Sequence, residues 1–203
     1  MLRLVSLLIA MLVVTPAVAE NITSSYTKFD LEKTCDRIDG AEPGSEEEEQ
    51  GGIWQCKGFE DFPILFKYGD LRESVQFGKL KPTLVNEAWE SFGNWNRVNT
   101  TVEWRLLDGK PFAAIIRFFL DIPDDNGGFK RGQVLVVNKV ATEANGGNGC
   151  MVGAVDARAN KDANVMAREV ADTRARGHDC FLDPQFYGNV GETAGDISRS
   201  FPG

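Results

Sequence analysis

An α+β fold is predicted: mainly antiparallel β-sheet or sandwich of about seven strands, with one C-terminal helix packed on it and disulfides as staples. Three observations predict it. From residue 52 onward the chain runs in short extended segments separated by turn signals. Only one stretch, beyond Cys150, carries apolar residues at helical spacing over several turns. Strands and helices do not alternate, which argues against a parallel sheet.

The first nineteen residues stand apart. "MLRLVSLLIAMLVVTPAVA" has one Arg, an apolar run and a small-residue close at Ala17 to Ala19, the layout of a secretory signal peptide. Its apolar run is too short to span a bilayer. A single domain, residues 20–203, is expected after cleavage, in the periplasm or secreted. No integral membrane segment is expected in that mature chain. Residues 20–34 read as a strand or an arm. Residues 36–52, "DRIDGAEPGSEEEEQGG", are acidic and rich in glycine, and read as a loop.

Short strands follow. "IWQCKGF", "PILFKY" and "LRESVQFG" are three, the last two joined by a tight turn at Tyr68-Gly69-Asp70. Residues 82–98 read as a short helix from Leu84 to Trp89 and then a loop. "TTVEWRLL" places Val102, Trp104 and Leu106 on one face, and Asp108-Gly109 is a hairpin turn. "PFAAIIRFFLDI" is apolar on both faces except at Arg117, the mark of a central strand. "QVLVVNKVAT" and "CMVGAV" continue the sheet. The helix is expected in "NKDANVMAREVADTRARG", with Asn160 as N-cap, Gly177 as terminator, and Ala163, Met166, Ala167 and Val170 as its apolar stripe. Residues 184–203 read as a loop-like tail.

The four cysteines, Cys35, Cys56, Cys150 and Cys180, are even in number and lie in the exported part. Pairing Cys35 with Cys56 and Cys150 with Cys180 closes two locally coherent units. The lone histidine, His178 in "RGHDC", then belongs to the loop that ends the helix, where its charge would favour the helix C-terminus. A Cys180–His178 catalytic pair is the competing reading.

Catalytic and metal motifs are missing. There is no G-x-S-x-G, phosphate loop or dinucleotide fingerprint, and no paired Cys or His spacing for zinc. No cofactor is implied. The net charge of −8 at pH 7 argues against nucleic acid and anionic membranes. A non-enzymatic binding module of unknown ligand fits this pattern. If the acidic loop has a role, Glu46, Glu47, Glu48 and Glu49 would steer a cationic protein in the manner of an inhibitor, with Trp54 as anchor. The alternative is a carboxylate-based hydrolase of envelope polymers, with Glu103 as its best acid and Phe92, Trp95 and Trp104 as groove walls.

The segments "SFGNWNR", "VEWRL", "RGQVLVV" and "CMVGAVDA", with the two cysteine pairs, resemble uncharacterised exported proteins of Gram-negative bacteria. That resemblance implies export and no particular activity. The general design is also similar, in architecture alone, to periplasmic lysozyme inhibitors.

Overall fold

The structure, a computed structural model, describes residues 20–40 and 51–202. The expected signal peptide and Glu46 to Glu49 lie outside the described residues. The expected antiparallel α+β architecture is present, with twelve strands among the described residues. They are β1 (Ile22–Lys28), β2 (Cys35–Gly40), β3 (Gly52–Phe59), β4 (Phe62–Gly69), β5 (Arg72–Phe77), β6 (Trp89–Phe92), β7 (Trp95–Leu107), β8 (Lys110–Pro123), β9 (Phe129–Lys139), β10 (Cys150–Asp156), β11 (Gln185–Phe186) and β12 (Ile197–Ser200). Helix α1 (Pro82–Glu87) precedes β6, and helix α2 (Ala163–Val170) runs on into one π-helical segment, Ala171–Ala175.

The strands form a six-stranded sheet in the order β1-β7-β8-β9-β10-β11 and a four-stranded sheet in the order β2-β3-β4-β5, with β12 paired to β6. The two larger sheets pack face to face. Period-two alternation aims Ile64, Phe66, Val75 and Phe77 at Val102, Trp104, Ile116, Phe118 and Val136, and excludes water from one shared core. Trp104 is fully buried, meets Phe77 edge-on at 5.5 Å, and donates its indole N–H to Thr27 at 2.8 Å. On the far face of the six-stranded sheet, Ala113, Ile115, Leu135, Val137, Val152 and Val155 receive the apolar stripe of α2. β8 thus lies between two apolar layers, which explains its almost unbroken apolar run.

Both expected disulfides form, Cys35–Cys56 and Cys150–Cys180. The turn at Asp108-Gly109 has both residues left-handed, at φ 49° and 80°, as a two-residue hairpin between right-twisted strands requires.

Four local expectations need correction. Of residues 36–52, expected as one acidic loop, 36–40 belong to β2, which pairs with β3 in register from Cys35 opposite Cys56, and residue 52 opens β3. Residues 89–92 and 95–98 are strand rather than loop: α1 stops at Glu87, β6 pairs with β12, and Glu90 donates its backbone N–H to Ser74 Oγ at 3.1 Å. Asn160 does not cap the helix. Asp162 holds that position, while Asn160 donates to the carbonyls of Asp156 and Asn189 and accepts from the Asn189 N–H, fixing the tail. The tail itself is docked. β12 pairs with β6, and Arg199 donates to the fully buried Glu90 at 2.9 Å. A Cβ at Gly132 would meet the Thr193 carbonyl at 2.1 Å, so only glycine admits the tail there.

Candidate functional site

The outer face of the six-stranded sheet is divided in two. One half lies under α2 and is aliphatic. Its margin toward β1 is sealed by ion pairs. Arg168 of the helix donates to Glu103 at 2.7 Å, Ser24 donates to the same carboxylate at 2.5 Å, and Arg105 grips Asp172 through two bonds of 2.8 and 2.6 Å. Burial alone would raise the Glu103 pKa. The hydrogen bonds from Arg168 and Ser24, with the Arg168 charge, outweigh that and hold the carboxyl below its ordinary value. Glu103 is therefore a clamp between helix and sheet.

Past the N-terminal end of α2, the same strands continue as a bare face. Cross-strand partners share a face in an antiparallel pair, so the register defines rows. Trp95 on β7 stands opposite Asp121 on β8, which stands opposite Arg131 on β9. In the next row Arg97 stands opposite Phe119, and Phe119 opposite Gln133. Arg117 follows on β8, beside the first turn of α2, and Phe129 closes the other end opposite Pro123.

Direct contacts confirm this placement. The Arg97 guanidinium lies over the Phe119 ring at 5.3 Å. Arg117 donates to Gln133 at 3.1 Å and to Asn164 of α2 at 3.5 Å. Arg131 pairs with Asp121, and the Trp95 and Phe129 rings meet at 5.5 Å. Trp95 and Phe129 are 47 % and 45 % exposed, although both are large apolar side chains on strands. Beside the paired rings opens a cleft of about 310 Å³, lined further by Gly93, Asn94, Asp121 and Gly128.

The charge on this face is unbalanced. Arg117 has no carboxylate within ion-pair distance, and burial presses its pKa below the ordinary value. Among the described residues Arg97 also makes no ion pair, although it lies in the field of Glu73. Arg97 and Arg117, with Arg131 paired to Asp121, make the middle of this aromatic-lined face cationic on a chain of net charge −8, while Asp124 and Asp125 make the adjoining hairpin tip acidic.

A second cleft, of about 420 Å³, contains the "RGHDC" segment. Here His178, Arg174, Asp179, Asp183 and Tyr187 border the end of the helix. Burial lowers the His178 pKa, and the charges of Lys139 and Arg199 lower it further against Asp179. The protonated form, in which His178 would favour the helix C-terminus, is thus disfavoured. Lys139 supplies the cation instead, donating to the His178 carbonyl at 2.7 Å. Cys180 is in a disulfide, so the competing Cys180–His178 pair has no thiol.

The other residues singled out from sequence are dispersed. Phe92 and Trp104 are core, and of the three suggested groove aromatics Trp95 alone reaches the bare face. Trp54 is half-buried on β3, packed edge-on against Phe66 at 5.7 Å and covered by Arg37 at 5.1 Å. Among the described residues no cluster of His, Cys, Asp and Glu would hold a metal, and no helix is long and apolar enough to cross a membrane. Sequence reasoning did not single out Arg97, Phe119, Phe129 and Arg131 as one surface. The available signal was Arg117, the single charge in an otherwise apolar strand.

In comparisons with known proteins, no family model, curated protein or solved structure matches this chain.

Proposed function

We propose that this chain is an exported, non-enzymatic binding module of the periplasm or the secreted space. The bare half of the six-stranded sheet would be its contact surface. Its export would rest on the signal-like leader, and the two disulfides are compatible with an oxidising space. The observation that carries the reading is the exposure of Trp95 and Phe129 around a cleft, beside arginines without carboxylate partners. An exposed sheet face without a ligand ordinarily carries small polar or charged side chains. Exposed Trp, Phe and Arg together are the composition that dominates binding energetics.

The roles of the acids support binding over hydrolysis. Glu103 is committed to Arg168 and Ser24, and Glu90 to Arg199, so both carboxylates hold elements together. The reading is tested by immobilising the mature protein and exposing it to protein, glycan and lipid fractions of a bacterial envelope. Wild type should retain material that a Trp95→Ala, Phe129→Ala variant of unchanged melting temperature does not. Equal retention by both would sink the assignment of this face.

Within the same reading, the acidic segment would steer a cationic protein toward a different surface, on β2 and β3. Changing Glu46, Glu47, Glu48 and Glu49 to Gln should then slow association with a basic protein and flatten its salt dependence.

A further inference from the structure

We propose that the bare half of the six-stranded sheet recognises an acidic polysaccharide whose sugars carry carboxylates. The inference rests on the binding-module reading and adds the ligand's chemistry.

The charge of the face selects the sign of the ligand. Arg97, Arg117 and Arg131 project from β7, β8 and β9, and only Arg131 is paired. With strands about 4.8 Å apart and same-face residues about 7 Å apart, the three stems cover an area about 10–15 Å across. That is the scale of a short oligosaccharide. A guanidinium can donate two parallel hydrogen bonds to a carboxylate, and a ligand carboxylate would meet Arg97 over the Phe119 ring directly, and Arg117 in place of its amide partners Gln133 and Asn164. Arg117 is the strongest pointer, since a half-buried cation held only by the amide oxygens of Gln133 and Asn164 has its charge uncompensated.

The aromatic and polar groups select a sugar. Trp95 and Phe129 offer ring faces beside a cleft open to backbone at Gly93 and Gly128, where a flat pyranose would stack. Asn94, Asp121 and Gln133 interleave donors and acceptors for hydroxyl groups. A bilayer fits less well, because two exposed rings beside a cleft walled by Asn94 and Asp121 offer no broad apolar patch to insert. The acids of the hairpin tip, Asp124 and Asp125, turn away any anion, so the ligand's carboxylates would lie toward Arg97 and Arg117. An acidic peptide fits less well too, because the surface is a sheet face rather than an edge and offers no unpaired ladder to an extended chain.

The chain's overall acidity does not prevent binding. Its repulsion of a polyanion is screened beyond about 8 Å at physiological salt, while the arginines act at contact.

The test is calorimetric titration of the mature protein with a defined oligogalacturonide. Its methyl ester, poly-glutamate, and phosphatidylcholine vesicles with and without phosphatidylserine serve as the other arms. The expected result is saturable binding of the free acid, weakened about 10-fold or more by Arg97→Gln with Arg117→Gln, by Trp95→Ala, and by methyl esterification. If Arg117→Gln lowers the melting temperature, Arg97→Gln alone carries the test, since its guanidinium makes no ion pair. No binding, equal binding of acid and ester, indifference to these variants, or preference for poly-glutamate or vesicles would each overturn the proposal. If the envelope fractions still show retention dependent on Trp95 and Phe129, the ligand class alone is wrong. If that retention is absent as well, the binding-module assignment of this face falls with it.

Discussion

Three strands, β7, β8 and β9, cross from one kind of surface to another without leaving the same side of the same sheet. Under α2, their outward side chains include Ala113, Ile115, Leu135 and Val137, nearly inaccessible and packed on the helix stripe. Past the helix N-terminus, two residues further along β8, they become Arg117, Phe119 and Asp121, flanked by Arg97, Trp95, Arg131 and Phe129. The backbone is the same, and the hydrogen-bonded register is continuous across β8 and β9. Only the presence of a covering element differs. The first half follows the rule that a buried sheet face is aliphatic. The second departs from the rule for a wet face, because it keeps large apolar rings in water beside cations. A sheet face obeying the solvent rule needs no ligand, and the departure from it here is what the proposed contact surface rests on.

The comparison breaks most visibly if the chemistry of one half is placed in the other. Leu135→Arg would put a charge under α2 among aliphatic side chains, at a site 4 % exposed. The helix should undock or the charge should remain buried, at a cost of about 4 kcal/mol in urea denaturation. A loss below about 1 kcal/mol would mean that α2 is not firmly packed there.

Next in size is the staple that holds the end of the helical segment to β10. Replacing Cys150 and Cys180 by Ala removes a link spanning 30 residues. The expected loss is about 3–4 kcal/mol. Hydrogen exchange should rise first in residues 163–175 and leave 117–131 unchanged, which separates the covered half from the bare one.

The Glu103 clamp sharpens the comparison through pH. Its folded pKa lies below the ordinary value of 4.5, so its contribution is complete above that value and is lost as pH falls through the lower folded pKa. Wild type should exceed Glu103→Gln in stability by about 1–2 kcal/mol at neutral pH. The two should converge in acid below the folded pKa. A constant gap down to pH 2 would show that shape rather than charge holds the clamp.

The smallest effect is expected on the bare half. Arg117→Leu loses two hydrogen bonds to amide oxygens and removes a cation without a carboxylate partner. Stability should change by less than about 0.5 kcal/mol in either direction. A loss as large as that of Leu135→Arg would make Arg117 structural and count against the recognition proposed for it.

Much of this architecture was legible from local pattern. The apolar run of 111–122 marked β8 as central because a strand buried on both faces cannot alternate. Asp108-Gly109 marked its hairpin because two successive left-handed residues suit the twist of paired strands. The cysteine pairing followed from closing two short units, and both bonds are present. The α2 stripe was equally plain, since Ala163, Ala167 and Val170 recur at helical spacing and are buried. The misreadings fell where a distant partner overrides a local signal. β6 and β12 have little apolar alternation of their own, yet Arg199 reaches Glu90 across 109 positions and draws the tail into a ladder. Asn160 resembled a helix cap, but the returning tail offered it Asn189.

The bare face shows the same division. The sequence determined that Arg117 and Phe119 lie on a strand, because the apolar run of β8 is a local signal, whereas Trp95, Arg97, Phe129 and Arg131 fall in stretches whose polar and glycine-rich composition reads as loop. Their grouping on one side was decided by the pairing register of three strands, with a register shift on β7 between Val98 and Val102 inside it. Their exposure was decided by where α2 begins, at Ala163. Both depend on contacts between segments tens of residues apart. Such contacts are chosen by how the whole core buries its apolar surface, and no short window of sequence contains that choice.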